Sequence, residues 1–277
     1  MKTALTIAGS DSSGGAGIQA DLKSFAANGV FGMSVINSVT SQNTTGVFGV
    51  YDIPCDVVAS QIDAVFKDIF PDAVKIGMVS SAEIISTIAD RLKYYNTKNI
   101  VLDTVMVSTS GCKLLRDDAI NALTSVLFPI ADIITPNLHE AQILCGFDIR
   151  SESDMVRAAD VIYNKYNVTV LLKGGHLANT SNDLLYDGNE TWFEAVRIDN
   201  PNTHGTGCTL SSAIAANLAK GMDIKTAVKS AKDYITGALS DMLDLGKGSG
   251  PLNHMYKFYR ECEKKSVKNN PSMIEYK

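Results

Sequence analysis

The stretch that decides the fold is Ala4-Leu5-Thr6-Ile7-Ala8-Gly9-Ser10-Asp11-Ser12-Ser13-Gly14-Gly15-Ala16-Gly17. Residues 4–8 have the composition of a buried strand, and a Gly- and Ser-rich loop follows them. A helical pattern then runs from Ala16 to Ala27, and Asn28-Gly29 ends it. A strand, a polar loop and a helix in this order form the first half of a βαβ unit.

The same alternation recurs along the chain. Apolar runs predict further strands at 33–39, 73–77, 100–102, 132–134 and 168–172, and a hairpin-like pair at 183–186 and 190–196. Helices are predicted at 55–66, 81–95, 117–127, 138–145, 153–165, 207–220, 224–241 and 254–262, and a loop at 40–50. Nearly continuous apolar strands that alternate with helices are typical of a parallel sheet covered on both faces. We therefore predict one α/β domain over residues 1–262, with a central, mostly parallel sheet, and a basic, flexible tail over 263–277.

Composition excludes several function classes. The net charge is −5 and Arg is not clustered with aromatic residues, which argues against a nucleic-acid partner. No apolar run reaches the length of a membrane span, and the N-terminus lacks the pattern of a signal peptide. The 5 Cys residues are scattered and show no CxxC spacing, which favours a reducing cytoplasm over a disulfide framework or a zinc site.

Small polar residues follow the predicted strands. They occupy 9–17, 40–46, 77–78, 103–111, 135–140 and 173–176. In open α/β sheets ligands bind outside the carboxyl ends of the strands, where these segments meet. This concentration of polar groups at one edge favours an enzyme over a scaffold.

A second glycine-rich turn precedes the C-terminal helices, in Asn202-Thr203-His204-Gly205-Thr206-Gly207-Cys208-Thr209-Leu210-Ser211-Ser212. The first N–H groups of a helix lack partners within the helix and lie at the positive end of its dipole. This turn therefore predicts a site that binds an anion, and a phosphoryl group is the favoured one. Cys208 would lie on the first helical turn, where the pKa of a thiol tends to fall. A plain Gly-rich turn with a buried Cys is the alternative interpretation.

The N-terminal glycine residues have two competing interpretations. Gly15-Ala16-Gly17-Ile18-Gln19-Ala20 fits the dinucleotide fingerprint G-x-G-x-x-A, but the end of the second strand, Asn37 to Gln42, carries no carboxylate for a ribose. Residues 9–16 lack the Lys-Ser/Thr pair of a P-loop. Both interpretations are therefore disfavoured.

Five ordered motifs, spread between about residues 3 and 260, resemble one family. They are Gly9-Ser10-Asp11-Ser12-Ser13-Gly14-Gly15-Ala16-Gly17-Ile18-Gln19-Ala20-Asp21-Leu22-Lys23, Val101-Leu102-Asp103-Thr104-Val105-Met106-Val107, Thr135-Pro136-Asn137-Leu138-His139-Glu140-Ala141, Lys173-Gly174-Gly175-His176 and the Gly205–Cys208 turn. The chain resembles the hydroxymethylpyrimidine/phosphomethylpyrimidine kinases of the ribokinase-like superfamily. The resemblance implies a ribokinase-like single domain and transfer of phosphoryl groups from MgATP to 4-amino-5-hydroxymethyl-2-methylpyrimidine and then to its monophosphate, in thiamine biosynthesis. It also implies a small-molecule substrate and a homodimer.

The resemblance assigns roles to individual residues. The residues implied to line the pyrimidine site are Gly9, Asp21, Gln42, Met78 and Val105. Those implied to contact the nucleotide phosphates are Asp103, Asn137, Lys173 and Thr206, with Glu140 and Asp103 supporting Mg²⁺. Catalysis is implied for Gly205, Thr206, Gly207 and Cys208, with the N–H groups of the turn favoured over Cys208 as an obligatory base.

Several of these residues have plainer interpretations. Glu140 can serve as a helix N-terminal charge, Asp103 as a turn cap and Met78 as core filling. Gln42, in the predicted loop, can be solvated. A pyridoxal kinase is the nearest alternative function, and Gln42 favours the pyrimidine because pyridoxal-preferring relatives tend to have an apolar residue there. A non-catalytic pyrimidine-binding protein is a third possibility, which Asp103, Glu140 and Lys173 argue against.

Overall fold

The computed structural model describes residues 1–106, 117–175, 181–195 and 197–269. These residues form one sheet of nine strands with helices on both faces. The strands are β1 (Thr3–Asp11), β2 (Phe31–Asn43), β3 (Gly46–Asp52), β4 (Ala73–Ile76), β5 (Ile100–Leu102), β6 (Ile133–Ile134), β7 (Thr169–Leu172), β8 (Asp183–Tyr186) and β9 (Glu190–Phe193).

The strand order is β3-β2-β1-β4-β5-β6-β7-β8-β9. The six strands from β2 to β7 in this order are parallel, and antiparallel strands close both edges of the sheet. The order reverses at β1, where the chain first runs outward to β2 and then returns to β4. Such a reversal leaves a crevice at the carboxyl ends of the strands, and the described residues of the predicted polar segments lie there. Residues 107–111 and 176 of those segments lie outside the described residues.

The helices agree closely with the predicted positions. They are α1 (Gly17–Ala27), α2 (Cys55–Asp68), α3 (Ala82–Tyr94), α4 (Asp117–Ala122), α5 (Leu138–Cys145), α6 (Glu152–Tyr166), α7 (Thr206–Ala219), α8 (Ile224–Ser240) and α9 (Tyr256–Asn269). Helix α4 continues as a π-helical turn, Leu123–Leu127, and a 3₁₀ turn, Phe128–Ile130. None of the helices in the described ranges is long and apolar enough to cross a bilayer.

Two apolar cores cover the two faces of the sheet. Leu5 and Ile7 of β1 lie in the core that α2, α3, α5 and α6 cover, whereas Ala4 lies in the core built by α1, α7 and α8. Since side chains alternate along a strand, Thr6 of β1 and its register partner Lys75 of β4 face the α1 and α7 side. This alternation brings a buried polar cluster beneath the carboxyl edge.

The predicted loop at 40–50 is wrong. Strand β2 continues to Asn43 and pairs with β3 as an antiparallel hairpin, from Asn43↔Gly46 to Ser38↔Asp52. The side chains of β3 are almost all exposed. Without a buried face this hairpin has no apolar alternation from which a sequence pattern could predict it.

The predicted boundary at residue 262 falls inside α9, which runs on to Asn269. The rest of the predicted tail, 270–277, lies outside the described residues. The flexible tail therefore stays a prediction.

Candidate active site

The glycine-rich turn at the start of α7 has the backbone shape that its sequence predicts. Gly205 is the N-cap residue and has φ 80°, a conformation that favours glycine. A Cβ on Gly205 would clash with the carbonyl oxygen of Gly15, and a Cβ on Gly15 would clash with the ring of His204. The N-terminal glycine loop and the α7 turn are thus packed directly on each other.

Two N–H groups at this helix start are open. Thr206 donates its N–H to Thr203 O at 3.2 Å and its hydroxyl to the same oxygen at 2.7 Å, so its donors are used internally. Gly207 and Cys208 have no hydrogen-bond partner for their N–H groups within the described part of the chain. No acidic residue lies in the first turn of α7. The positive end of a long helix is therefore free to receive an anion.

The Cys208 thiol loses its proton less readily than an ordinary cysteine. Burial raises the pKa of its thiol to about 11, and the Lys75 ammonium opposes this shift without cancelling it. The prediction of a lowered thiol pKa at the helix start is wrong here, because desolvation outweighs the nearby positive charge.

Lys173 brings a positive charge to the same turn. Its Nζ lies 3.4 Å from Asp103 Oδ1, and a Cβ built on Gly207 would lie 3.6 Å from both Lys173 Nζ and Asp103 Oδ2. Burial would lower the pKa of Lys173, but Asp103 and Glu140 raise it above its ordinary value. Asp103 is fixed further by hydroxyl groups of Thr135 at 3.3 Å and Ser211 at 3.2 Å.

Glu140 lies in the first turn of α5, as its plainer interpretation as a helix N-terminal charge predicts, and it also caps the helix. Asn137 Oδ1 accepts from Glu140 N at 3.0 Å, and Glu140 Oε2 accepts from Asn137 N at 2.9 Å, which is a capping box. The carboxylate also accepts bonds from Thr104 Oγ1 and Met106 N. Burial nevertheless raises the pKa of Glu140, with Lys173 opposing and Asp103 reinforcing the shift.

The described residues contain no group of three or more His, Cys, Asp or Glu side chains that could hold a metal. Asp103 and Glu140 are instead two buried carboxylates, and both interact electrostatically with Lys173. A hard cation that keeps several waters and binds phosphate oxygens needs only one or two protein carboxylates, so this donor set fits Mg²⁺ and no larger cage.

Asp21 lies beneath the site rather than in it. Its two oxygens accept bonds from Lys75 Nζ at 2.9 and 2.8 Å, from Thr6 Oγ1 at 2.6 Å and from Ser212 Oγ at 2.7 Å. Asp21 and Lys75 are both fully buried. Since the carboxylate is saturated, this arrangement leaves Asp21 no oxygen for the aminopyrimidine that the resemblance assigned to it.

Sequence reasoning missed Lys75. The signal was available, because a lysine interrupts the otherwise apolar run Ala73-Val74-Lys75-Ile76. Lysines are almost never fully buried unless they are paired. The buried partner, Asp21, could not be identified without knowing which face of β4 meets α1.

Gln42 lies on β2 and not in a loop, and it is half-buried. The two ends of its carboxamide lie 3.1 Å from Thr40 Oγ1 and 3.3 Å from His204 Nε2. Its backbone N–H and carbonyl both bond to the Ser12 hydroxyl. Gln42 is thus connected to the residue that precedes the Gly205 turn.

Three further predicted substrate residues lie at the same edge of the sheet. A Cβ on Gly9 would lie 3.0 Å from Met78 Cε, so the Met78 methyl group covers the glycine backbone. Val105 is half-buried and its N–H donates to Asp103 O. Val107 and His176, which belong to the recognised motifs, lie outside the described residues.

Like Lys75, the pair Asp11 and His204 has no role in the predictions from the sequence. His204 Nε2 lies 2.8 Å from Asp11 Oδ2, with side chains 17% and 3% exposed. Asp11 also accepts bonds from Ser13, Gly15 and Ala16. The residues are 193 positions apart, so no local pattern could pair them.

Comparison with known proteins identifies relatives along most of the chain. The family model described as phosphomethylpyrimidine kinase matches residues 11–253. A hydroxymethylpyrimidine/phosphomethylpyrimidine kinase of Rhizobium meliloti is 50% identical over 263 residues, which cover 93% of this chain and 98% of the relative.

Solved structures include a phosphomethylpyrimidine kinase from Clostridium difficile 630, with 49% identity, a TM-score of 0.77 and coverage of 85% of this chain and 98% of that one. A Bacillus subtilis pyridoxal kinase solved as an ADP complex has a TM-score of 0.84 at 38% identity, covering 94% of this chain and 99% of that one. The fold is therefore shared with a phosphomethylpyrimidine kinase and with a pyridoxal kinase, and of these two the phosphomethylpyrimidine kinase has the higher identity.

Proposed function

We propose, given that the chain belongs to the phosphomethylpyrimidine kinase family, that the edge formed by the Gly205 turn, Lys173 and Gln42 is its active site. The protein is a kinase that phosphorylates hydroxymethylpyrimidine and then the resulting phosphate, in thiamine biosynthesis, with ATP as the phosphoryl donor. The observation that carries the placement is the start of α7, where two N–H groups are open beside the half-buried Lys173.

The transferred phosphoryl group is proposed to lie against Gly207 N–H and Cys208 N–H. Phosphoryl transfer demands positioning and stabilisation of negative charge more than covalent chemistry by the protein. Preorganised N–H donors and the Lys173 ammonium supply that stabilisation without reorganising during the reaction. Gly205 contributes the backbone shape, and Thr206 holds that shape through its two bonds to Thr203 O.

Mg²⁺ is proposed to be held by Asp103 and Glu140, largely through water. When bound, it neutralises charge on the phosphate oxygens. Asn137 orients Glu140 through the capping box, and Thr135 and Ser211 orient Asp103. The raised pKa of Glu140 is consistent with a carboxyl group that gains a cationic partner when the site is loaded.

The pyrimidine is proposed to bind between Gln42 on one side and the Gly9, Met78 and Val105 surface on the other. A carboxamide has an NH₂ donor group and a carbonyl acceptor, which match the ring nitrogen and the exocyclic amine of an aminopyrimidine. Asp21 is proposed to act indirectly: it does not contact the ring but holds Lys75 and α7 in position.

Cys208 is proposed to face the reacting groups as a neutral thiol. A neutral thiol does not take the proton of the substrate hydroxyl, and an anion bound nearby would raise its pKa further. We therefore propose that catalysis depends mainly on the open N–H groups of the turn, which stabilise negative charge, and not on a Cys208 thiolate.

A homodimer and a cytoplasmic location are also proposed. Strand β3 is an edge of the sheet, and its large apolar side chains Val47, Phe48, Val50 and Tyr51 are 52–70% exposed. Exposed apolar edge strands pair readily with another chain. Light scattering should give a dimer mass for the wild type and a lower mass for Phe48→Ser, with Phe258→Ser, a similarly exposed change on α9, as the control.

The function is tested by coupled ADP release with MgATP and hydroxymethylpyrimidine. Acceptor-dependent ADP release that stops with EDTA and returns with added Mg²⁺ is the expected result. ATP consumption that does not depend on the pyrimidine would overturn the assignment of the pyrimidine as phosphoryl acceptor.

A further inference from the structure

The carboxamide of Gln42 lies between the side chains of Thr40 and His204, each of which also makes a hydrogen bond to another residue. Its Oε1 is placed 3.1 Å from Thr40 Oγ1, and Thr40 Oγ1 lies 2.8 Å from Ser10 O. Its Nε2 is placed 3.3 Å from His204 Nε2, which lies 2.8 Å from Asp11 Oδ2. The state of each neighbour decides what it can offer to the amide.

Asp11 is ionised and can only accept hydrogen bonds. Burial alone would raise the pKa of its carboxyl group, but bonds from His204, Ser13 and Ala16 hold it well below its usual range. Because Asp11 Oδ2 only accepts, the proton between it and His204 belongs to His204 Nε2. The Nε2 atom therefore has an N–H and no free lone pair. Towards the amide it can act only as a donor, through a second, weaker hydrogen bond from the same N–H.

Thr40 presents an acceptor to the amide, whereas His204 presents a donor. A backbone carbonyl only accepts, so the single hydroxyl proton of Thr40 is donated to Ser10 O. What remains at Thr40 Oγ1 is a lone pair, which accepts a proton from the amide. With Oε1 at Thr40 and Nε2 at His204, an acceptor faces an acceptor and a donor faces a donor. The two ends of a carboxamide have the same shape, so turning the amide over removes both conflicts without moving any other group.

We propose that His204 is a positioning residue for substrate specificity: together with Thr40 it fixes the Gln42 amide with its oxygen towards the imidazole and its nitrogen towards the threonine. One N–H and one lone pair of the amide then remain for a ligand. Reversing the amide would exchange donor and acceptor, and an aminopyrimidine would have to turn over to pair with it. The network thus selects the ring orientation, and with it the direction of the hydroxymethyl group.

The same histidine connects recognition to the phosphoryl site. His204 directly precedes Gly205, and its N–H donates to Gly250 O at 3.2 Å. Its ring packs where a side chain on Gly15 would lie. The residue that orients the amide is therefore attached to the turn that receives the phosphoryl group, which fixes the spacing between the two parts of the site.

The inference rests on the proposed role of Gln42 and is tested with His204→Leu and His204→Gln. The glutamine variant keeps an N–H donor near the position of Nε2, whereas leucine does not. We expect His204→Leu to raise the KM for hydroxymethylpyrimidine about tenfold, the order expected for loss of one hydrogen bond to a recognised group. The KM for ATP should stay within about twofold, and His204→Gln should restore most of the loss. Thr40→Val, which acts on the other end of the amide, should give the same pattern and serves if His204→Leu does not fold.

A double-mutant cycle with Gln42→Ala decides whether the effect passes through the amide. In the Gln42→Ala background, His204→Leu should change the pyrimidine KM by less than about twofold, since no amide is left to orient. An undiminished effect in that background, or an equal rise in the ATP KM, would overturn the inference. Absence of pyrimidine phosphorylation by the wild type would instead overturn the proposed function, so the two failures are distinguishable.

Discussion

Lys75 Nζ lies 2.9 and 2.8 Å from the two carboxylate oxygens of Asp21, and neither side chain is exposed to solvent. The pair joins β4 to α1, and bonds from Thr6 and Ser212 extend it to β1 and α7. The two charges are paired with each other, and Asp21 accepts two further hydroxyl bonds, so burial of the pair is tolerated. Helix α7, whose start is the proposed phosphoryl site, is thereby attached to the sheet through a charged cluster.

Lys75→Met should lower the free energy of unfolding by about 3–5 kcal/mol, because it leaves Asp21 as a buried, unpaired charge. The double variant Lys75→Met with Asp21→Asn should recover part of the loss, since no charge is then left unpaired. Urea denaturation monitored by circular dichroism measures both. A Lys75→Met variant as stable as the wild type would show that the pair does not hold the structure together.

Glu140→Gln should change how stability depends on pH. Burial raises the folded-state pKa of Glu140 above its unfolded value. The folded state therefore binds the proton more tightly, and the resulting stabilisation is present below the unfolded pKa and is lost as pH rises through the folded pKa. The glutamine variant has no such loss.

Urea midpoints measured for both proteins between about pH 4 and pH 8 test this, without Mg²⁺ or ATP. The stability of the wild type relative to Glu140→Gln should fall as pH rises across that interval. The same variant should need a higher Mg²⁺ concentration for half-maximal activity. A stability difference that does not change with pH would contradict the assignment of a raised pKa to Glu140.

Much of the fold could be predicted from the sequence, since strands such as 100–102 and helices such as 138–145 carry strong local signals. The β2–β3 hairpin could not, because its exposed side chains have no buried face to impose a period. Within the site, the Gly205 turn was predictable from glycine chemistry alone. Lys75–Asp21 and Asp11–His204 were not, because each pair depends on which strand faces meet in three dimensions.

Cys208→Ser should lower kcat by less than about tenfold, below the range expected for loss of a general base. The thiol has a pKa of about 11 and so holds its proton at neutral pH, as a serine hydroxyl does. Gly207→Ala is the matched comparison and should be more damaging, because its methyl group would lie 3.6 Å from Lys173 Nζ in the space proposed for the phosphoryl group. Steady-state rates of the folded variants measure both. A Cys208→Ser variant that loses more than about a hundredfold would make the thiol an essential base.

Gln42→Met should weaken pyrimidine use much more than pyridoxal use. The variant cannot pair with the amidine edge of the aminopyrimidine, and two lost hydrogen bonds of about 1–1.5 kcal/mol each correspond to about a hundredfold in kcat/KM. Pyridoxal turnover by the same preparation is the internal control for folding and for the phosphoryl site. Equal losses with both acceptors would remove Gln42 from substrate selection.

The central claim is that this chain phosphorylates an aminopyrimidine at the α7 turn, and product analysis by mass spectrometry tests it most directly. Purified protein would receive MgATP with hydroxymethylpyrimidine and pyridoxal together in one reaction. The account predicts hydroxymethylpyrimidine monophosphate first and its diphosphate later, with pyridoxal phosphate in the minority. Exclusive formation of pyridoxal phosphate would leave the fold and the phosphoryl site intact and would contradict the assignment of the pyrimidine as substrate.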